Sequence, residues 1–335
     1  MNKTYVIAEA GSNHNGDFEN AKKLIDAAVR SGSDAVKFQL FKAEKLFSTK
    51  SKRVNNFNVF ELFKPFEITK TFLTDVAKYS FDSGIEFMCT PFDEEAVDFI
   101  YNLGVNRMKV SGFESTDLRF IQHVASTKLP IIVSAGLGCD LEMIRKIIKV
   151  CNNAGCEDIT ILHCNSAYPT PQDQIKLDTI SHIKENFDVK VGLSDHTLST
   201  LTPALAVMNG AQCIEKHFTL SKSMPGPDHS FALEPHELTD MVKNIRLAES
   251  SKGIKNKFTD SEICDSIQGM RSVILKTDVI KGQRVTIDNI TTKRPFYEGN
   301  IPAGAFFDLL ERNYEFKCDL GTDEFLTFEN LKEIR

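Results

Sequence analysis

Short apolar runs alternate with helix-period patterns along the first three-quarters of the chain. The first run, 5–10, is β-rich, and the loop GSNHNG follows it. Then Leu24, Ile25, Ala28 and Val29 recur at helical spacing, with Asp17 placed to cap the start and Gly32 to end it. The same unit repeats. Strands are expected at 34–39, 86–91, 107–112, 130–136, 158–164, 189–194 and 212–218. Helices are expected at 69–83, 94–102, 118–126, 139–153, 177–186, 201–208 and 234–250. That makes eight strand–helix units over about 250 residues, the usual length of a (β/α)8 TIM barrel. A doubly wound open sheet is the competing arrangement. The count of eight favours closure.

A polar group stands at almost every strand end: Glu9, Lys37, Gln39, Thr90, Lys109, Ser134, His163, Ser194 and Glu215. In a barrel such groups would share one pocket. The stretch 40–64 is long, polar and studded with Phe, which in a compact domain marks a functional or mobile loop. The expected organisation is a barrel over 1–253, a polar linker over 254–270, and a small β-rich module over 271–335. A module of that size needs support from the barrel or a second subunit.

Composition narrows the classes. The chain has 335 residues with 40 basic and 46 acidic side chains, net −6, and no basic run, which argues against nucleic-acid binding. No apolar run approaches membrane-spanning length, and no signal-peptide pattern opens the chain, so no membrane association and a cytoplasmic location are expected. The eight Cys lack any CxxC spacing and read as reduced thiols.

The chemistry concentrates between Gly192 and His229: GLSDHT, IEKHFT and PGPDH. His196 and His217 follow two separate strand runs. Two imidazoles at adjacent strand ends, with Asp195, Glu215 and Asp228 near, could hold one divalent metal with open positions. One such His alone would read as an ordinary hydrogen-bonding residue. Lys37 and Lys109, with the hydroxyls of Thr90 and Ser134 and the SAG turn, suit a phosphate or carboxylate. Either lysine alone would read as a salt-bridge partner of Glu9 or Glu114. Together the set suits carbonyl chemistry: a metal to polarise an aldehyde, cations for an anionic partner, and Glu9 to position a water.

VIAEAGSNHNG, AVKFQ, MCTPF, MKVSGFE, PIIVSAG, LHCNSAYPTP, VGLSDHT, IEKHFT, MPGPDHS and TTKRP occur in this order. The chain closely resembles the sialic acid synthase family along nearly its whole length, and its tail resembles that family's antifreeze-like (SAF) domain. The resemblance implies condensation of phosphoenolpyruvate with an open-chain N-acetylated amino sugar and water, with phosphate leaving by C–O cleavage. It implies Mn²⁺ or Mg²⁺ on His196 and His217, and Glu9 and Lys109 as further catalytic groups. Lys37, Thr90, Lys109 and Ser134 match positions that bind phosphoenolpyruvate. Gln39, Glu114, Ser166, Tyr168 and Asp228 match positions around the sugar. It also implies a domain-swapped homodimer in which Arg294 of one subunit reaches over the acetamido group in the other.

Departures stand beside the match. Gly112 replaces a usual hydroxyl, Ser166 replaces a usual Asn, and only Asn55 and Asn56 are candidates for a sugar contact from the long loop. PGPDH points to a neuraminate or legionaminate product, while FE in SGFE leans toward pseudaminate. The rival enzyme is a heptulosonate or octulosonate synthase, which would want an added Arg/Lys cluster. The rival from another class is a carbohydrate-binding or ice-binding protein with an inert barrel.

Overall fold

The computed structural model describes residues 3–48 and 59–334. The chain divides into two compact units, Met1–Lys252 and Gly253–Arg335. In the first unit eight parallel strands alternate with helices and form a TIM barrel: β1 (Tyr5–Gly11), β2 (Ala35–Leu40), β3 (Glu86–Pro91), β4 (Met108–Val110), β5 (Ile131–Ala135), β6 (Ile159–Cys164), β7 (Lys190–Asp195) and β8 (Cys213–His217). The ladder runs β3-β2-β1-β8-β7-β6-β5-β4. The first and last strands pair, Tyr5 opposite Cys213 and Glu9 opposite His217, and β3 lies beside β4 to complete the ring.

The helices form where local chemistry permits. The helix α1 (Phe18–Ser31) starts at Asp17, whose carboxylate accepts the Glu19 and Asn20 amides, and it stops at Gly32 in the left-handed region. The helix after β8, α2 (Pro235–Ser251), opens on a capping box between Glu234 and Glu237. Apolar helix faces pack on the outer faces of the strands, and this layer, with Val6, Phe38, Phe87, Val133 and Ile214 among its strand residues, is the main core. The strands are therefore buried on both faces, which is why they read as near-continuous apolar runs.

Strand alternation sorts the barrel interior into layers. Ile7, Ala35, Met88, Ile132, Leu162 and Cys213 form a small apolar plug. Two residues further along the strands come Glu9, Lys37, Thr90, Lys109, Ser134, Cys164, Ser194 and Glu215. The period of two places this polar layer on top of the plug.

Taken by itself, the second unit holds two two-stranded antiparallel sheets. One pairs β9 (Ser272–Leu275) with β10 (Ile290–Lys293), and the other pairs β11 (Tyr314–Phe316) with β12 (Leu331–Glu333). They enclose a core that includes Val273, Leu275, Ile301, Phe316 and Leu326. The stretch 254–270, read from composition as a linker, contains the helix Asp260–Gly269. Thr259 and Glu262 supply its capping box, a local signal inside a polar segment. Arg294 follows β10 and is exposed in this unit. Among the described residues no helix is long and apolar enough to cross a membrane, and all eight cysteines are free thiols.

Candidate active site

A cavity of about 540 Å³ opens at the carboxyl ends of the barrel strands. Its floor is the polar layer. Lys37 Nζ donates to Thr90 Oγ1 at 2.7 Å and lies 2.9 Å from Glu9 Oε2. Lys109 Nζ donates to Ser134 Oγ and to the Val110 carbonyl, each at 2.7 Å. Glu215 sits between the lysines, with Oε1 3.7 Å from Lys37 and 3.9 Å from Lys109. Its Oε2 is buried with no hydrogen-bond partner.

All four ionisable groups are buried, so their charges govern one another. Burial pushes the Glu9 carboxyl up to about 7, against the pull of Lys37. Burial opposes ionisation of Glu215, but Lys109 and Lys37 outweigh it and lower its pKa. Burial also opposes the charge on Lys37, yet Glu215 and Glu9 hold its pKa above the usual lysine value. Lys109 is lowered by burial, only partly offset by Glu215. Two buried ammonium groups with hydroxyl partners at the floor of a concave pocket form a receptor for a small anion.

Above the floor stand the two imidazoles, ring centroids 5.5 Å apart. His196 Nδ1 donates to the Asn165 carbonyl at 2.8 Å, which leaves Nε2 with its lone pair. His217 Nδ1 is buried with no hydrogen-bond partner, and Asp228 Oδ2 lies 3.8 Å from it. Burial lowers the pKa of His196 and holds that of His217 well below the usual value, so both rings are neutral. Neutral rings with free lone pairs suit a divalent cation. Among the described residues no third His, Cys, Asp or Glu completes a protein cage. Two ligands with open positions is the arrangement of a site that also takes water or substrate.

The mouth carries longer polar groups and an aromatic wall. Gln39 Nε2 donates to Glu9 Oε1 at 2.8 Å. Gly11, at φ +53°, lets the Asp228 loop approach, since a Cβ there would lie 3.1 Å from Asp228 Oδ2. Burial raises Asp228 to about 6. Glu114, also raised by burial, accepts a hydrogen bond from Ser111. Tyr168 packs 4.2 Å from the His196 ring and stacks on Phe113 at 6.2 Å. On another side Phe41, Phe47, Phe63 and Phe92 touch edge to face or tilted, at 5.4 to 6.2 Å.

Most of the site residues expected from sequence line this cavity: Glu9, Lys37, Gln39, Thr90, Lys109, Glu114, Ser134, Tyr168, His196, His217 and Asp228. Ser166 is half-buried, its Oγ 3.9 Å from Cys164 Sγ, and is not among the residues lining the cavity. Two expectations are corrected. His163 faces away from the pocket and donates to the Ile175 carbonyl at 2.5 Å, because Leu162 and Cys164 take the inward positions of β6. Asp195 also faces outward and pairs with Lys216 at 2.7 Å, so it does not stand beside the imidazoles as a ligand. Lysine 109 meets Glu215 at its ion-pair distance, whereas Glu114 is engaged with Ser111. Asn55 and Asn56 lie outside the described residues. Sequence reasoning missed the aromatic wall and Phe231. The only signal was the density of Phe in 40–64, which also suits an ordinary core.

Comparison with known proteins places these features in context. The NeuB family model matches residues 24–257. The chain is 39% identical over 304 residues to N,N'-diacetyllegionaminic acid synthase of Legionella pneumophila, covering 87% of this chain and 85% of that one. It is 32% identical over 303 residues to pseudaminic acid synthase of Campylobacter jejuni, covering 88% of each. Its structure is similar to that of N-acetylneuraminic acid (sialic acid) synthetase from Leptospira borgpetersenii in complex with citrate. There the TM-score is 0.72 at 29% identity, over 79% of this chain and 90% of that one. With a family model spanning most of the barrel and full-length relatives above 30% identity, the chain belongs to the NeuB family, that of the sialic acid synthases.

Proposed function

We propose that this chain condenses phosphoenolpyruvate with an N-acetylated amino sugar in its aldehyde form, adding water and releasing phosphate by C–O cleavage, to give a nonulosonic acid. One observation carries the reading. A floor of two buried lysines and two hydroxyls lies directly under a pair of neutral imidazoles, in one cavity large enough for both substrates. Lys37 and Lys109 hold the phosphate and carboxylate of phosphoenolpyruvate. Thr90 and Ser134 fix the two ammonium groups in place. Glu9, whose pKa near neutrality suits both gaining and losing a proton, takes the proton of the attacking water. His196 and His217 would hold Mn²⁺ or Mg²⁺, which when bound polarises the aldehyde oxygen. Gln39, Glu114, Tyr168 and Asp228 orient the sugar from the mouth.

The higher identity to a legionaminate synthase and the run PGPDH support a neuraminate- or legionaminate-type acceptor. The aromatic wall supplies apolar surface for the methyl of an acetamido group. A pseudaminate-type acceptor is the second reading, and Phe113 of SGFE, stacked on Tyr168, is the residue that favours it. A heptulosonate or octulosonate synthase would need cations for a sugar phosphate. Among the described residues lining the cavity, the only lysines are the two in the floor, and no arginine is present. The test is phosphate release from phosphoenolpyruvate with a panel of N-acetylated hexosamines, before and after chelation and Mn²⁺ return. No release with any acceptor would end the reading.

A further inference from the structure

Strand alternation turns His196 and His217 inward and sends their preceding residues, Asp195 and Lys216, outward. Asp195 and Lys216 are direct cross-strand partners, the last rung of the β7–β8 ladder before the imidazoles. Both are fully buried, and Lys216 Nζ donates to Asp195 Oδ2 at 2.7 Å. The same ammonium also donates to the Thr197 carbonyl. Asp195 in turn accepts from the Thr197 amide at 2.9 Å and from its hydroxyl at 3.1 Å.

Lys216 therefore grips both residues that flank His196, from the position adjacent to His217. No ladder extends past Asp195 on β7, and the one backbone bond given at His196 comes from the loop after β6, the Thr170 amide donating to the His196 carbonyl at 2.9 Å. The ring itself is held by the bond from His196 Nδ1 to the Asn165 carbonyl and by the Tyr168 ring, while the clamp grips the chain on both sides of it. We propose that Lys216, Asp195 and Thr197 form a clamp that fixes the separation of the two imidazoles and so sets divalent-metal affinity at His196 and His217. The inference rests on the metal reading above. Lys216 and Asp195 are positioning residues, since neither reaches into the cavity. Metal affinity depends steeply on ligand placement, and groups outside the ligand set commonly change it by about 10- to 100-fold.

The experiment measures Mn²⁺ binding to the full-length protein by electron paramagnetic resonance of the free ion, beside thermal unfolding. Lys216→Met leaves Asp195 buried with an unpaired charge, so it weakens folding as well as the clamp. The double variant Lys216→Met/Asp195→Asn removes both charges and relieves that folding defect without restoring the clamp. We expect Mn²⁺ affinity to fall about 10- to 100-fold in both variants, while the unfolding temperature recovers in the double variant. A pair with a merely structural role would recover affinity and stability together. That outcome, or wild-type Mn²⁺ affinity in a folded single variant, overturns the clamp. His217→Ala is the control and should lose Mn²⁺ binding. Wild-type affinity in that control would instead sink the metal reading, and the clamp's role with it.

Discussion

Glu9→Gln separates the two jobs that the floor gives one carboxylate. Glu9 is buried, 2.9 Å from Lys37 Nζ and 2.8 Å from Gln39 Nε2. Glutamine keeps the shape and an acceptor oxygen for Gln39 or Lys37, but it cannot take a proton. Lys37 loses its nearest countercharge, yet Glu215 remains at 3.7 Å, so the ammonium is not stranded. The floor becomes more positive by up to one charge. Binding of phosphoenolpyruvate should therefore hold or tighten. Loss of a positioned base typically lowers the rate by about 10²- to 10⁴-fold, which is roughly 3 to 5 kcal/mol of barrier. The expected signature is a kcat lower by that factor, with the dissociation constant for phosphoenolpyruvate unchanged or smaller. The assay pairs steady-state phosphate release with equilibrium binding of phosphoenolpyruvate by calorimetry. Unchanged kcat would remove Glu9 from proton transfer. Binding weakened more than tenfold, with kcat intact, would mean that Glu9 serves only to hold Lys37.

Other outcomes follow from different parts of the molecule. His14 is buried against Phe38 and Phe72, and its Nδ1 accepts the Gly16 amide, so burial lowers its pKa to about 4. Its unfolded value is higher, so its contribution of up to roughly 3 kcal/mol is complete above about pH 6.5 and lost as pH falls toward 4. Urea titrations of wild type and His14→Gln over that window should show a shallower loss in the variant, and parallel curves would refute the linkage. Gly136→Ala would put a Cβ 2.6 Å from the Gly112 carbonyl oxygen, a backbone atom that cannot swing away. The expected cost is about 1–3 kcal/mol of stability, read from the urea midpoint, and a variant as stable as wild type would show that the β4 and β5 loops yield freely. If Arg294 reaches the acetamido group, as the resemblance implies, its guanidinium offers fixed donors there, and Arg294→Ala should raise KM for the sugar more than for phosphoenolpyruvate. If the chain pairs as the resemblance implies, mixed Glu9→Gln and Arg294→Ala chains should regain some activity after subunit exchange, and a dead mixture would place the arginine elsewhere.

Much of the barrel was readable in one dimension. Eight apolar runs, each followed by a capped amphipathic pattern, leave little room for another closed arrangement, because short βα connections force parallel strands. The residues at the strand ends followed from the same reading: Glu9, Lys37, Thr90, Lys109 and Ser134 all reach the floor. The facing of each strand residue was harder to read. Both faces of a barrel strand are buried, so the apolar pattern of ITILHC does not say whether His163 or Cys164 points inward. The same ambiguity placed Asp195 among the possible ligands, when it belongs to the pair behind them.

The amino-acid sequence by itself determined the number of units, their order, and the stock of acids, bases and imidazoles at one end of the barrel. Only the tertiary structure decided which of these groups meet. The polar layer of the floor draws one member from each of the eight strands, and barrel closure sets β1 beside β8, which brings Glu9 opposite His217 across some two hundred residues. Burial then does what no local pattern encodes. It removes water from Lys37, Lys109, Glu9 and Glu215 together, so each pKa depends on the neighbours the fold supplies. The aromatic wall belongs to the same class: a Phe in a loop looks like core until the chain folds and shows what it faces.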